Sequence, residues 1–174
     1  SFTFYSKYYD SLYKNKNYLK EVNHYLNISK KHKLKKIKNI LDIGCGTGVH
    51  SFLLAKKKYN LLGMDKSQNM LNIAISKKKK ILKRLKINFK KLDILKQEVE
   101  FKKKFDVIFL FFHVFSYFLS NKDIIFFFKQ CHNNLSNNGL IILDFWNKES
   151  VEKLKLKNIF KKFKLKKNIF FREI

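Results

Sequence analysis

Proline is absent from this 174-residue chain, and arginine, cysteine, methionine and tryptophan each occur only once or twice. The two cysteines, Cys45 and Cys131, share no C-x-x-C spacing and have no histidine or cysteine cluster around them. That pattern excludes a disulfide framework and a thiolate metal site, and points to a reduced, cytoplasmic setting. Arg84 and Arg172 are the only arginines among 39 lysines and arginines, so the planar forks that read base edges are missing. The longest apolar run, Val107 to Phe118, is too short to span a bilayer and is broken by His113, Ser116 and Tyr117, so no membrane partner is expected. No signal peptide is visible, and a chain opening on Ser1 is expected to have been trimmed at its start.

What is abundant is lysine, and the formal net charge is +26. Such a charge ordinarily points to nucleic acid. Asn, Ile and Phe are also frequent while Ala and Arg are scarce, which is the residue set that adenine- and thymine-rich codons favour. The lysine runs Lys77–Lys80 and Lys102–Lys104 fall at expected helix ends and loops, with no aromatic platform interleaved. They read as solvated faces, with nucleic acid bound only non-specifically, at low salt. A hydrophobic content of 45% in a chain of this length makes one folded unit with a real core.

Six of the eight tyrosines lie before residue 26, and Phe2, Tyr5, Tyr9 and Tyr13 recur at helical spacing. A second helix from Tyr18 to about Lys30 carries Leu19, Val22 and Leu26 on one face. From Ile37 onward apolar strands alternate with amphipathic helices. Strands are expected at Ile40–Ile43, Asn60–Met64, Ile87–Leu92, Phe105–Phe111 and Leu140–Phe145. Helices are expected at Val49–Lys57, Gln68–Lys83 and Lys122 to about Asn134, the last turning Ile125, Phe128 and Cys131 inward. Asn137-Asn138-Gly139 is a turn. This alternation predicts an α/β fold, a mostly parallel twisted sheet with helices on both faces. The expected divisions are a helical lid over 1–36, a core over 37–147 and the start of a C-terminal cap over 148–174, with short strands at Phe163–Leu165 and Asn168–Phe171.

The central stretch is Leu41-Asp42-Ile43-Gly44-Cys45-Gly46-Thr47-Gly48, a buried strand running into a glycine turn and then a helix. Its D-x-G-x-G-x-G spacing differs from the dinucleotide fingerprint G-x-G-x-x-G. Asp65 closes the second strand about 20 residues on, where a carboxylate can take both hydroxyls of a ribose. The alternative for Asp65 is a cap on the helix that Ser67 opens.

The glycine spacing resembles motif I of the Rossmann-like S-adenosylmethionine-dependent methyltransferases. The resemblance implies a three-layer Rossmann-like sandwich and S-adenosyl-L-methionine as cofactor. By the same resemblance Asp42 orients the loop and the methionine end, and Asp93 meets the adenine amino group, its alternative being a solvated turn residue. The residues expected to hold the cofactor are Asp42, Gly44, Cys45, Gly46, Gly48, Asp65, Lys66, Met70, Asp93, Ile94 and Phe111. A sulfonium with an ammonium suits carboxylates and loop carbonyls better than a phosphate cradle would.

After the fourth strand comes Phe111-Phe112-His113-Val114-Phe115-Ser116-Tyr117, with neither the amide nor the prolines of the Asn/Asp-Pro-Pro-Tyr motif of base methyltransferases. The tyrosine-rich leader, including Tyr9-Asp10-Ser11-Leu12-Tyr13, and Asp144-Phe145-Trp146 are similar to small-molecule N-methyltransferases of the sugar N,N-dimethyl and glycine or sarcosine types. That similarity implies an amine acceptor, with Tyr13 and Tyr117 near it, their alternative being ordinary packing. His113 is a candidate base or a hydrogen-bonded core residue. Such relatives have seven strands, and here the C-terminal strands are expected to be incomplete. A nucleic-acid-binding methyltransferase of the same fold and a non-catalytic remnant are the alternatives, and a homodimer is possible in either case.

Overall fold

Five apolar segments of this chain assemble into one parallel sheet whose neighbours are not neighbours in sequence. The computed structural model describes residues 5–32, 36–80, 84–153, 160–165 and 168–173. In chain order the elements are a 3-10 turn at Ser6–Tyr8, α1 (Tyr9–Leu12), α2 (Tyr18–Lys31), β1 (Asn39–Ile43), α3 (Val49–Lys56), β2 (Asn60–Asp65), α4 (Gln68–Lys80), β3 (Ile87–Lys91) and β4 (Phe105–Leu110). A 3-10 turn at Val114–Tyr117 follows, then α5 (Asn121–Asn134), β5 (Leu135–Leu143), α6 (Lys148–Lys153), β6 (Phe160–Leu165) and β7 (Asn168–Glu173).

The sheet order is β3-β2-β1-β4-β5, and every pairing is parallel. Because strand side chains alternate between faces, β1 and β4 feed two cores. Ile40, Val107 and Phe109 meet Val22, Tyr25 and Leu26 of α2 and Phe52 and Leu54 of α3. Leu41, Ile43, Ile108 and Leu110 meet Phe127 and Cys131 of α5. The result is the three-layer α/β sandwich expected from the sequence. β6 and β7 form a separate antiparallel pair. No described helix is long and apolar enough to cross a membrane.

Four expectations change. The leading helix is interrupted, because the cap positions at Tyr5 and Tyr8 offer no side-chain acceptor to its free amides. Phe2 lies outside the described residues, but the Tyr5, Tyr9 and Tyr13 rings still meet in turn, edge-on at 5.7 Å and tilted at 4.9 Å between centroids. In α2, Leu19 is half exposed while Val22, Tyr25, Leu26 and Ser29 face inward. In α5, Ile125 and Phe128 point outward, and the buried face is Phe127, Gln130, Cys131 and Asn134. The two buried amides decide that rotation: Gln130 Oε1 accepts Val99 N–H at 2.7 Å and Asn134 Oδ1 accepts Phe101 N–H at 2.9 Å. Buried backbone donors on the β3–β4 connection need such partners. Finally, β5 starts at Leu135, and its pairing jumps from Phe105↔Leu135 to Val107↔Leu140. Asn137-Asn138-Gly139 is thus a bulge inside a strand, with Asn138 at φ 65°. Helix α4 is described to Lys80, and its expected last turn, 81–83, lies outside the described residues.

Candidate active site

Strand order reverses between β1 and β4, and at the carboxyl ends of the strands there lies a cavity of about 520 Å³. Ligands in such sheets bind at this reversal. The turn after β1 carries Gly44, Gly46 and Gly48 with φ of 72°, 55° and 81°. Two of these positions show what the turn is for. A Cβ on Gly44 would lie 2.6 Å from Val114 Cγ2, so the turn packs directly on the segment after β4; around Gly46 a Cβ would meet nothing within 4 Å. Gly46 therefore presents bare backbone to open space.

Carboxylates at the strand ends hold that turn. Asp65 Oδ2 accepts Gly46 N–H at 2.8 Å and Oδ1 accepts Ser67 N–H at 2.7 Å. Both readings of Asp65 share one side chain: it caps the turn into α4 and still lines the cavity, with lone pairs left for a ligand's hydroxyls. Burial pushes its pKa above the ordinary carboxylate value, opposed by the Ser67 and Gly46 amides and by Lys66. Asp93 Oδ1 accepts Leu95 N–H at 3.2 Å, fixing the turn after β3. Asp42 is buried behind the loop and takes the Ser51 hydroxyl of α3. Burial raises its pKa to about 6, against the pull of His50 and Ser51 and with Asp65 adding to the rise.

The N-terminal segment crosses the cavity. Asp10 Oδ1 accepts the Thr47 hydroxyl at 2.5 Å and its Oδ2 pairs with Lys77 Nζ at 2.5 Å, while Lys77 Nζ also donates to Thr47 O at 3.1 Å. Tyr13 shares a hydrogen bond with Tyr5 at 3.1 Å and sets its ring edge-on to Phe112, centroids 4.9 Å apart. Burial, followed by the neighbouring Tyr18 and Tyr13, holds Tyr9 far above the ordinary tyrosine range. His50 pairs with Glu21 at 2.8 Å and stacks flat on Phe111, centroids 4.2 Å apart. Burial would raise the Glu21 pKa, but hydrogen bonds from His50 and Lys16 bring it below the usual value.

The sequence itself matches a family model described as "methyltransferase domain" over residues 40–139. The chain belongs to the methyltransferase domain family. A ubiquinone biosynthesis O-methyltransferase of Pelagibacter ubique (strain HTCC1062) is 36% identical over 121 residues, covering 66% of this chain and 45% of that protein. A crystal structure of an S-adenosylmethionine-dependent methyltransferase from Clostridium acetobutylicum ATCC 824 is similar over 97% of this chain and 67% of its own, with TM-score 0.76 and 25% identity. The sugar N-methyltransferase KedS8 from Streptoalloteichus sp ATCC 53650 gives TM-score 0.75 over 95% of this chain and 64% of its own. At 16% identity that last likeness is one of fold alone. The chain spans 41% to 45% of the length of the curated relatives it matches. Its fold is the Rossmann-like one the sequence resemblance implied.

Within this methyltransferase domain, every cofactor or acceptor residue expected from the sequence lines the cavity except Asp42 and Gly48. Gly48 opens α3 and Asp42 braces it, so both act from behind the loop. Tyr13 belongs to the N-terminal crossing, and Tyr117 is 64% exposed. His113 presses on Trp146, centroids 4.3 Å apart, and gives its backbone N–H to Asp144 at 2.7 Å. Sequence reasoning missed Tyr9, Tyr18, Phe112 and Trp146 in the cavity wall. It also read the run beginning at Lys77 as solvated, whereas Lys77 is part of the crossing's clasp.

Proposed function

We propose that the cavity binds S-adenosyl-L-methionine and that the protein transfers its methyl group to a small-molecule amine in the cytoplasm. The observation that carries this reading is the convergence of Gly46, Asp65 and Asp93 from three successive strand ends onto one cavity. In this reading Asp65 takes the ribose hydroxyls and Asp93 with Ile94 takes the adenine, against Met70 and Leu92. The methionine end runs along the Gly44–Gly46 backbone over the braced Asp42, and the sulfonium points to Phe111 and the aromatic end. The segment over 1–36 acts as a lid and the stretch 148–174 contributes to a cap.

Methyl transfer from a sulfonium is an in-line displacement, so the domain's contribution is alignment and exclusion of water. Tyr9, Tyr13, Phe112, Tyr117 and Trp146 line the cavity with aromatic rings, whose faces suit a cationic amine. The aromatic lining favours an amine, in keeping with the fold shared with the sugar N-methyltransferase KedS8; the O-methyltransferase relative favours a hydroxyl acceptor as the second reading. Titration calorimetry with S-adenosylhomocysteine tests the cofactor. The wild-type chain is expected to bind, and Asp65→Ala to weaken binding by about 30-fold or more, the scale of a lost charged hydrogen-bond pair. No heat of binding to the folded wild type would defeat the reading. Transfer of a labelled methyl group to amine-bearing and hydroxyl-bearing acceptors then separates the two acceptor classes.

A further inference from the structure

We propose that Asp144 is a positioning residue that keeps the imidazole proton of His113 on Nδ1, leaving Nε2 to take a proton from the methyl acceptor. This rests on the reading of the cavity as a methyl-transfer site. Asp144 directly follows β5 and His113 lies three residues beyond β4, so adjacent strands bring the pair together. Asp144 Oδ1 accepts His113 N–H at 2.7 Å, and Oδ2 lies 3.6 Å from His113 Nδ1. Nδ1 is buried and makes no hydrogen bond among the described residues. The ring itself lines the cavity.

This placement is held at a cost. Phe112 and His113 both have left-handed backbone, φ 63° and 60°, a conformation that is strained for a non-glycine residue and persists only where surroundings impose it. The surroundings here are the Asp144 carboxylate, the Trp146 ring against His113, and Tyr13 against Phe112. A carboxylate only accepts hydrogen bonds, so the nitrogen facing it is favoured as the N–H and the other as the lone pair. Of the other groups that bear on the pair, Tyr25 of α2 donates its hydroxyl to Leu110 O at 3.2 Å, and its ionisation is opposed by burial and then by the Asp144 charge. Tyr117 comes from the following turn, and from the N-terminal segment Tyr13 and Lys16 reach the neighbouring Phe112, Lys16 Nζ standing 3.3 Å from its ring centroid.

The step balances as follows. The lone pair of an N–H or O–H acceptor forms the bond to the methyl carbon, the carbon–sulfur bond breaks, and sulfur leaves with that electron pair as a thioether. The acceptor's proton passes to His113 Nε2, and the imidazolium faces Asp144. The acceptor class is therefore a nucleophile that carries a proton, a primary or secondary amine or a hydroxyl. A tertiary amine or a thioether, with no proton to give, would gain nothing from the pair.

The test is long-range nitrogen–proton NMR on the whole chain labelled with 15N-histidine, with His113→Gln assigning the resonance and S-adenosylhomocysteine calorimetry run in parallel. Neutral His113 is expected as the Nδ1–H form. In Asp144→Asn the amide oxygen can keep the His113 backbone N–H while the amide N–H turns to Nδ1. The ring should then switch to the Nε2–H form, while S-adenosylhomocysteine affinity stays within about twofold, since Asp144 lies outside the cofactor end. An Nε2–H tautomer in the wild type overturns the proposal by itself, even if the variant does not fold, as does an unchanged tautomer in a folded variant. Failure of the wild type to bind S-adenosylhomocysteine, with the expected tautomer present, overturns the methyl-transfer reading instead.

Discussion

At the glycine-loop end the cavity wall is backbone, held by carboxylates that close neighbouring strands; at the opposite end it is a set of rings drawn from the N-terminal segment, the turn after β4 and the residues after β5. The first end is tied down by hydrogen bonds, Asp65 joining Gly46 of the loop to the turn into α4 and Asp42 joining the end of β1 to α3. The second depends on packing between segments far apart in sequence, with Asp10 and Lys77 clasping the crossing to Thr47. Binding a common cofactor needs fixed donors and acceptors, whereas choosing an acceptor needs walls that can be changed without unfolding the sheet.

Breaking the first end should have the largest effect. Gly44→Ala places a methyl against Val114 and forces alanine to φ 72°; the combined strain and overpacking should cost about 4 kcal/mol in urea unfolding. Next comes Asp42→Asn. A buried aspartate whose folded pKa is raised to about 6 favours the native state below its ordinary pKa near 3.8 and loses that contribution as pH rises through about 6. The variant, which still offers Ser51 an acceptor, should be more stable than the wild type by about 3 kcal/mol above pH 6 and should converge with it near pH 4. Denaturation curves across that range read the difference directly. A smaller effect is expected at the clasp: Lys77→Ala should cost about 1 kcal/mol, shrinking in high salt. Tyr13→Phe should change S-adenosylhomocysteine affinity by less than about twofold; a tenfold loss would erase the division between the two ends.

The same division separates what could be read from the residues and what could not. β1 and its turn were legible because a buried apolar run ending in Asp42 and three spaced glycines leaves few conformations open. Asp65 and Asp93 were legible as cavity-lining residues because one ends β2 and the other follows β3 by two residues. The Tyr9, Phe112 and Trp146 walls were not, since rings at helical spacing or in apolar runs read equally as core. Helix α5 was rotated from its expected face because Gln130 and Asn134, polar by type, go inward to satisfy the backbone at Val99 and Phe101. Lys77 sits in a lysine run without local distinction, and its partners Asp10 and Thr47, remote in sequence, give it a role. The NNG turn kept its left-handed residue, Asn138, but tertiary pairing to β4 absorbed it into β5.

Amide chemical shifts of the whole chain, followed as S-adenosylhomocysteine is added, test most directly whether three strand ends form one cofactor site. The account predicts that the largest changes fall together on Gly46, Ser67 and Leu95, the amides that Asp65 and Asp93 now hold, with the β6–β7 pair unmoved. Changes confined to one of these turns, or centred elsewhere on the molecule, would contradict it.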